Sequence, residues 1–342
     1  MPPKVPRTIE WIDGRVKFIN QLKLPWELEV VETSDPYRLV KAIKDMEIRG
    51  APAIGAAAAF TLALAAVNTS GSRETLLNNI LKAKNAVEQT RPTAVNLFNA
   101  TNRVWSAIKD LSSPDEIREK AVEEAIKIAE EDVIKNKLIG EHGEKLLKDG
   151  DTVLTICNAG SLATVYYGTA LAPIYVAWDK GKRVNVIALE TRPYLQGARL
   201  TAYELSATGI PVRVATDNSI GILMLKEKID IVFVGADRVT RDGYVANKIG
   251  TYPTALLAKR HGKPFYVCAP TTTIDFKIKP EEIVIEKRSS EEVTKIFGRE
   301  ITPKGVKAIY YAFDITPPEL ITGIITEKGI FKPPLPENLA NT

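Results

Sequence analysis

The sequence is poor in the residues that build metal centres and disulfide frameworks. Its 342 residues include two cysteines, two histidines and three methionines. Two cysteines are too few for the disulfide framework of a small secreted scaffold. The histidines, His142 and His261, stand in helical or helix-end contexts, and no Cys/His spacing typical of a zinc site is present. We therefore expect a protein that binds no metal.

An excess of charge of one sign is also missing. The 46 Lys and Arg residues nearly balance the 42 Asp and Glu residues, which gives a formal net charge of +4. A nucleic-acid-binding protein is expected to carry basic clusters with interleaved aromatic residues, whereas the charges here are mixed. The sequence thus predicts no nucleic-acid partner. The hydrophobic fraction of 45% excludes intrinsic disorder and is ample for a core.

Long hydrophobic runs are limited to one segment. Residues 51–67 are uncharged, but they are so rich in alanine that their hydrophobicity is too low for a membrane span. We expect a tightly packed internal helix there and no association with a membrane. The first six residues, MPPKVP, cannot form the apolar core of a signal peptide. With two cysteines and no export signal, the sequence predicts a cytoplasmic protein.

Hydrophobic periodicity indicates the organisation of the first part of the chain. Residues 8–32 alternate polar and apolar around Asp13-Gly14, a pattern typical of a small β meander that opens with a hairpin. From Asp35 to Leu147 the period is helical, and a capping box that begins at Ser113 precedes an apolar helical stripe. Residues 1–148 are therefore predicted to form a β meander and a helical bundle.

After residue 148, apolar strands alternate with amphipathic helices. Runs of valine and isoleucine separated by helix-length segments indicate a parallel sheet that is covered on both faces. The sequence therefore predicts an α/β fold in which residues 149–342 form a doubly wound, Rossmann-like domain. The predicted strands are Thr152–Ile156, Val184–Leu189, Val212–Ala215, Ile231–Val234 and Phe265–Val267.

A thiol and a carboxylate follow the first and the fourth of these strands. An open doubly wound sheet binds ligands outside the carboxyl ends of its strands, where the strand order reverses. In the common strand order the first and fourth strands flank that point, so we expect Cys157 and Asp237 to face each other there. Such a pair can carry protons. A small buried hydrophobic residue is the alternative interpretation of Cys157, and it is the one that we adopt for Cys268.

Arginines at predicted helix starts indicate phosphate binding. Arg49 precedes Gly50 and Ala51 at the start of the alanine-rich helix. A guanidinium beside exposed backbone N–H groups favours a phosphate. An ordinary glycine turn between helices explains the same residues equally well. The segment Arg91-Pro92-Thr93 repeats the arrangement before another predicted helix.

Polar residues after further strands complete the set of candidates. Asn247-Lys248 follows a flexible turn and could reach the same crevice. Glu190 ends the second strand, where it could bind a ribose hydroxyl or pair with Arg192. Asp217 is most simply the N-cap of the next helix.

Because neither a P-loop nor a dinucleotide fingerprint is present, we expect no nucleotide cofactor. Taken alone, these residues favour proton transfer on a sugar phosphate without naming the reaction.

Eight segments, in chain order, resemble those of the S-methyl-5-thioribose-1-phosphate isomerases. These enzymes belong to a superfamily that includes the regulatory subunits of translation initiation factor 2B, and the likeness runs through almost the whole chain. The segments are Arg49–Gly55, Arg91–Thr93, Cys157–Gly160, Glu190–Pro193, Gln196–Arg199, Gly235–Arg238, Val245–Gly250 and Phe313–Glu319.

The resemblance implies the isomerisation of 5-methylthioribose 1-phosphate to 5-methylthioribulose 1-phosphate in methionine salvage, by a homodimer that needs no cofactor. It implies that Cys157 and Asp237 form the catalytic pair. The sequence departs from the family pattern at Ile156, where histidine is usual, and at Tyr310-Tyr311, which replaces Asn-Pro. The residues that the resemblance places around the substrate are Arg49, Gly50, Ala51, Arg91, Gln196, Asn247 and Lys248.

Two other functions stay open at this point. One is an isomerase of another ribose 1-phosphate, such as ribose 1,5-bisphosphate, which would need a further cationic contact for the distal phosphate. The other is a non-catalytic regulatory subunit of a translation factor, which the presence of both Cys157 and Asp237 disfavours. The route of hydrogen from C2 to C1, as a proton through an enolate or as a hydride, is also undecided.

Overall fold

The computed structural model describes residues 3–92 and 94–339, so the first two residues, Thr93 and the last three residues lie outside the described residues. The chain divides into two compact units. The N-terminal unit comprises Val5–Lys137 and Gly160–Gly168. The C-terminal unit consists mainly of residues 138–159 and 169–339.

The N-terminal unit contains a small antiparallel sheet and a helical bundle. The predicted hairpin is present, with Asp13 and Gly14 at φ values of 47° and 78°, as a tight hairpin turn requires. In chain order its elements are β1 (Ile9–Ile12), β2 (Arg15–Ile19), β3 (Val30–Thr33), α1 (Pro36–Lys44), α2 (Ala51–Val67), α3 (Arg73–Glu88), α4 (Val95–Ile108) and α5 (Pro114–Glu144).

Helix α2 forms the centre of this unit. All residues from Ala53 to Ala66 are buried, and the helix packs against α1, α3 and α4. A helix that is apolar on all sides is typical of a protein core. Helices α2 and α4 approach each other so closely that small residues are required, because a Cβ at Gly55 would lie 3.1 Å from the carbonyl oxygen of Asn96. The expected internal helix is confirmed, and no helix among the described residues is long and apolar enough to cross a membrane.

The C-terminal unit follows with alternating strands and helices. Its elements in chain order are β4 (Thr152–Thr155), α6 (Ala172–Asp179), β5 (Asn185–Leu189), α7 (Ala202–Thr208), β6 (Val212–Ala215), α8 (Ile220–Lys226), β7 (Ile231–Val234), β8 (Arg238–Thr240), β9 (Val245–Lys248), α9 (Thr251–Arg260), β10 (Phe265–Cys268), β11 (Ile274–Asp275), α10 (Glu291–Thr294), β12 (Lys295–Ile296), β13 (Arg299–Glu300), β14 (Phe313–Thr316), β15 (Gly323–Thr326) and β16 (Gly329–Phe331).

A seven-stranded sheet forms the core of this unit. Its order is β16-β15-β10-β7-β4-β5-β6, parallel throughout except for the edge strand β16. The order reverses between β4 and β7, so the prediction of a doubly wound sheet with its first and fourth strands at the reversal is confirmed. A second sheet, of order β11-β8-β9-β14, was not predicted, because strands of two to four residues are too short to show a period.

The units differ from the predicted division at residue 148 in two respects. The last turns of α5 belong to the C-terminal unit, because they lie directly against α6. A Cβ at Gly140 would stand only 2.9 Å from the carbonyl oxygen of Ala172. Residues 160–168, by contrast, are part of the N-terminal unit although they follow β4. That the chain folds as two separate domains stays a prediction.

Candidate active site

Cys157 stands just after β4 in an uncommon backbone conformation. Its φ of 62° lies in the left-handed region that residues other than glycine rarely adopt. Two threonine hydroxyls hold its peptide groups. The N–H of Cys157 donates to Oγ1 of Thr191 at 2.7 Å, and its carbonyl accepts from Oγ1 of Thr201 at 2.7 Å. A residue held in a sparsely populated conformation is typical of a functional site.

Asp237 lies in the corresponding place after β7. Because β4 and β7 are hydrogen-bonded parallel neighbours, Cys157 and Asp237 both follow the carboxyl ends of strands at the reversal point. The two connections are in contact, since a Cβ at Gly235 would lie 2.7 Å from Cβ of Ala159. The structure therefore places the two residues after the ends of neighbouring strands, while their chemical roles stay a prediction.

Asn247 and Lys248 belong to β9, the antiparallel partner of β8. The N–H of Asp237 donates at 3.0 Å to the carbonyl of the residue before Asn247, which places the two side chains in adjacent positions of this hairpin. Asn247 is buried, and the Lys248 ammonium stands 4.6 Å from the centre of the Phe313 ring. Asn247 is therefore opposite Asp237 in this hairpin, and Lys248 is the next residue along β9.

The turn between β9 and α9 packs against the end of β4. A Cβ at Gly250 would lie 2.8 Å from Cδ1 of Ile156, so the two segments are in contact. Asp314 holds this turn by accepting the N–H groups of Gly250 at 2.7 Å and Tyr252 at 3.0 Å. Burial raises the pKa of Asp314 to about 6, although these hydrogen bonds act in the opposite direction.

Gln196 is buried at the start of a π-helical turn, Gly197–Thr201, which brings Thr201 to Cys157. Such turns are rare and frequently mark functional sites. Among the described residues, Oε1 of Gln196 finds no hydrogen-bond partner. A buried acceptor without a partner is costly in free energy, so this oxygen is suited to a ligand hydroxyl.

The N-terminal unit holds the first predicted phosphate-binding segment. The Arg49 side chain is buried, and its Nε donates to Oε1 of Gln21 at 2.9 Å. Gly50 precedes α2 with a φ of 92°, and a Cβ there would lie 2.3 Å from the carbonyl oxygen of Ala163. Ala51 is the first residue of α2, where backbone N–H groups have no acceptor within the helix. This is the local arrangement that favours an anion.

Arg91 belongs to the same unit and precedes α4. Its side chain is half-buried, and Nη1 lies 3.1 Å from the sulfur of Met46. Thr93, the last residue of this predicted segment, lies outside the described residues. The predicted substrate residues are thus divided by unit: Arg49, Gly50, Ala51 and Arg91 are in the N-terminal unit, and Gln196, Asn247 and Lys248 are in the C-terminal unit with Cys157 and Asp237.

Comparison with known proteins decides the family. The initiation factor 2 subunit family matches residues 47–333, which is most of the chain. The chain belongs to this family. It is 51% identical to methylthioribose-1-phosphate isomerase 1 of Pseudothermotoga lettingae over 335 residues, which cover 97% of each chain. The resemblance that the motifs indicate is confirmed.

Two solved structures are similar to this protein over at least 96% of its chain. The 5-methylthioribose 1-phosphate isomerase from Pyrococcus horikoshii is 44% identical with a TM-score of 0.93, and the match covers 100% of this chain and 97% of that one. The translation initiation factor eIF-2B subunit delta from A. fulgidus is 48% identical with a TM-score of 0.87, covering 96% and 97%. The two names correspond to an enzyme and to a translation-factor subunit.

Asp217 has a different role from the one predicted. Its carboxylate accepts the N–H groups of Thr191 at 2.7 Å and Arg192 at 2.6 Å, whereas Ser219 occupies the N-cap position of α8. The N-cap interpretation is wrong, because the side chain reaches the end of the neighbouring strand β5 instead of its own helix. Burial raises the pKa of Glu190, and the charge of Asp217 adds to this effect. A ribose contact by Glu190 stays a prediction.

An aromatic and ionic cluster near Cys157 was missed by sequence reasoning. Tyr310 is buried, which raises the pKa of its hydroxyl, and the interaction with Arg288 opposes this while those with Glu292 and Cys157 add to it. Arg288 bonds Glu292 at 2.9 Å and lies 5.6 Å from the centre of the Tyr194 ring. The one sequence signal was the Tyr-Tyr pair in place of Asn-Pro.

Proposed function

We propose that the protein is an isomerase that converts 5-methylthioribose 1-phosphate to 5-methylthioribulose 1-phosphate. The observation that carries the proposal is the relative of that name, 51% identical over 97% of the chain, taken with a thiol and a carboxylate at adjacent strand ends. A protein that only binds a partner has no chemical need for Cys157 and Asp237. The reaction moves hydrogens within one sugar, so two proton carriers suffice.

Asp237 opens the sugar ring in the proposed mechanism. The anomeric carbon bears a phosphate, so the sugar cannot relax to a free aldehyde. Asp237 in its acid form donates a proton to the ring oxygen, and the bond from C1 to that oxygen breaks with its electron pair on oxygen. Asn247, which lies opposite Asp237 in the hairpin, and Lys248, the next residue, bind the hydroxyls and the phosphate of the substrate.

Cys157 then assists the transfer of hydrogen from C2 to C1. In the enolate route the thiolate removes the C2 proton, and the resulting thiol, whose hydrogen exchanges with solvent, protonates C1. The proton of the C2 hydroxyl passes to the carboxylate of Asp237, which restores its acid form. In the hydride route the C2 hydrogen moves with its electrons to the electron-poor C1, and Cys157 accepts the proton of the C2 hydroxyl. C1 is reduced and C2 oxidised in both routes. Turnover in deuterium oxide distinguishes them, because complete retention of the C2 hydrogen at C1 contradicts the enolate route.

Substrate binding in the proposal uses cations and backbone donors. Arg49 and Arg91 bind the phosphate, together with N–H groups at the start of α2 contributed by Gly50 and Ala51. Gln196 binds a sugar hydroxyl, for which its buried Oε1 is available.

The assay compares 5-methylthioribose 1-phosphate with ribose 1,5-bisphosphate on the purified protein. We expect turnover of the first, and a loss of at least about 1000-fold in kcat for both C157S and D237N, because each removes a proton carrier. C268S is the matched control, since Cys268 is a buried thiol two strands away, and it should keep its activity. Turnover of the bisphosphate alone contradicts the proposed substrate, and full activity of C157S or D237N contradicts the mechanism.

A second candidate is a regulatory subunit of a translation factor. One observation favours it: a solved structure that is 48% identical carries the name of a subunit of initiation factor 2B. The same assay separates the candidates. A folded protein that turns over neither sugar phosphate supports the regulatory subunit and contradicts the isomerase.

The enzyme is further proposed to be a cytoplasmic homodimer. Helices α8 and α9 pack side by side and present apolar side chains to the surface, namely Ile222, Leu225, Tyr252 and Leu256, which are between 41% and 67% exposed. Contiguous exposed apolar residues are typical of subunit interfaces. Cys157 and Cys268 are both thiols rather than a disulfide, as expected in a reducing compartment.

A further inference from the structure

We propose that Thr191, fixed in place by Asp217, is a positioning residue that holds the backbone of Cys157 in its catalytic conformation. The inference rests on the proposed function, in which the Cys157 thiol carries a proton, and it adds residues that act through Cys157 without touching the sugar. Three segments that are distant in sequence meet at this point: the end of β4, the end of β5 and the residues that follow β6.

Thr191 is itself held in an uncommon conformation. Its φ is 66°, and a β-branched residue in the left-handed region is a genuine outlier that its surroundings must maintain. Asp217 does so by accepting the N–H groups of Thr191 and Arg192 on its two carboxylate oxygens, at 2.7 and 2.6 Å. The side chain of Thr191 is 1% exposed, so water does not compete for its hydroxyl.

The direction of the hydrogen bonds at Thr191 is determined by its partners. The hydroxyl donates its one hydrogen to the carbonyl of Leu189 at 3.0 Å. Its oxygen is then available as an acceptor, and the N–H of Cys157 donates to it at 2.7 Å. Thr191 therefore supplies the acceptor that a strand-end amide in the left-handed conformation would otherwise lack.

Thr201 completes the arrangement on the other side of Cys157. Its hydroxyl donates to the Cys157 carbonyl at 2.7 Å and accepts from Nδ2 of Asn158 at 3.1 Å. The turn that carries Thr201 approaches β5 so closely that a Cβ at Gly197 would lie 1.7 Å from the carbonyl oxygen of Leu189. We call the pair Thr191 and Thr201 the threonine clamp. It holds both peptide groups of Cys157, so the chain fixes where the thiol stands.

The clamp matters for catalysis because proton transfer depends steeply on geometry. A displacement of about 1 Å in a reacting group can cost about 100-fold in rate. Without the Thr191 hydroxyl the N–H of Cys157 loses its acceptor, and the hydrogen bond that stabilises the positive φ of Cys157 is gone. The backbone then relaxes, and the thiol moves with the backbone. The substrate's phosphate contacts lie on other residues and are unaffected. We therefore expect loss of the clamp to change kcat and the reactivity of the thiol, with little change in KM.

The test compares T191V, T191S and T208V. Valine keeps the shape of Thr191 without its hydroxyl, and serine keeps the hydroxyl. Thr208 is the matched control: it is also buried, its hydroxyl donates to the carbonyl of Glu204 at 2.8 Å and accepts the N–H of Lys4 at 3.2 Å, and these bonds involve no part of Cys157. Each variant is measured for kcat and KM on 5-methylthioribose 1-phosphate, for its thermal midpoint, and for alkylation of Cys157 by iodoacetamide as a function of pH.

We expect T191V to lose about 10- to 100-fold in kcat with KM within about threefold, and T191S to recover to within about threefold of the unmodified protein. The midpoint of the alkylation profile should move by about half a pH unit or more in T191V and by less than that in T191S and T208V. D217N should give a smaller loss in kcat, and the double variant should lose less than the two single losses combined, because both act on one clamp.

Two outcomes overturn the inference. One is a T191V protein with the kcat and the alkylation profile of the unmodified protein. The other is an equal loss of kcat in T191V and T208V that follows their thermal midpoints, which would show a general effect on stability. If the unmodified protein turns over no sugar phosphate, the proposed function fails. The alkylation profiles then still decide whether Thr191 positions the thiol.

Discussion

Cys157 and residues near it have backbone conformations that are rare for residues other than glycine, or lie so close to another segment that no side chain fits. Cys157 and Thr191 both have positive φ, and Gly197 lies where no Cβ fits. Features of this kind lower stability and persist because the surrounding contacts determine them. At the scale of the residue, the site is therefore a place where local preference is overruled by tertiary contacts, which is expected where a group must be held for chemistry.

Gly197 allows a direct prediction about stability. We expect G197A to lower the free energy of unfolding by about 2 kcal/mol or more, because its Cβ would stand 1.7 Å from the carbonyl oxygen of Leu189 and the turn would have to move. G221A is the control, since Gly221 is a helical glycine with open space around it, and it should be neutral or stabilising by about 0.5 kcal/mol. Urea unfolding measures both. Equal stability of the two variants would contradict the close approach.

At the scale of the element, α5 holds the segment that follows β4. Asp132 on α5 accepts the N–H of Val165 at 2.7 Å, within residues 160–168. Burial raises the pKa of Asp132 to about 7, against the effect of this hydrogen bond and of Asn136. The folded protein thus binds a proton at this carboxyl in a range of pH where the unfolded chain has released it.

This raised pKa predicts how stability depends on pH. An unfolded aspartate titrates near pH 4, so between about pH 4 and pH 7 the folded state binds more protons, and the contribution of Asp132 to the free energy of unfolding falls as pH rises. D132N has no such titration, while its amide oxygen can still accept the Val165 N–H. Relative to the unmodified protein, D132N should therefore gain about 1–3 kcal/mol between pH 5 and pH 8.

The control for this prediction is E131Q on the same helix. Arg103 lowers the pKa of Glu131 through a bidentate hydrogen bond, so this carboxylate is ionised in both states over the same range. The stability of E131Q relative to the unmodified protein should not change between pH 5 and pH 8. Urea unfolding at the two pH values measures both variants, and a constant difference for D132N would contradict the raised pKa of Asp132.

At the scale of the whole molecule, the proposed dimer offers a test that is independent of catalysis. The faces of α8 and α9 expose apolar side chains, of which Leu225 is 67% exposed. We expect L225E to convert a dimer into monomers, because a charge would be buried at the interface without a partner. Light scattering on the eluting protein measures the mass. I134E is the control, since Ile134 is 58% exposed on α5 of the other unit, and it should leave the mass unchanged.

The course of the main chain was largely predictable. The alanine-rich helix, the hairpin at Asp13-Gly14 and the strands of the parallel sheet follow from periodicity and turn residues, which act over a few neighbours. The position of Cys157 and Asp237 at adjacent strand ends followed from the strand order that α/β sheets commonly adopt. The short strands of the second sheet were not predicted, because they contain too few residues to show a hydrophobic pattern.

The partners of the side chains were not predictable. Asp217 bonds the backbone at Thr191 instead of capping its own helix, and Tyr310 lies near Cys157 although about 150 residues separate them in the chain. The sequence by itself determined the order of helices and strands, since these depend on local spacing, and it contained the motifs that indicate the family. Only the tertiary structure decided which residues hold the thiol, because hydrogen bonds between distant segments exist only after the sheet has brought those segments together.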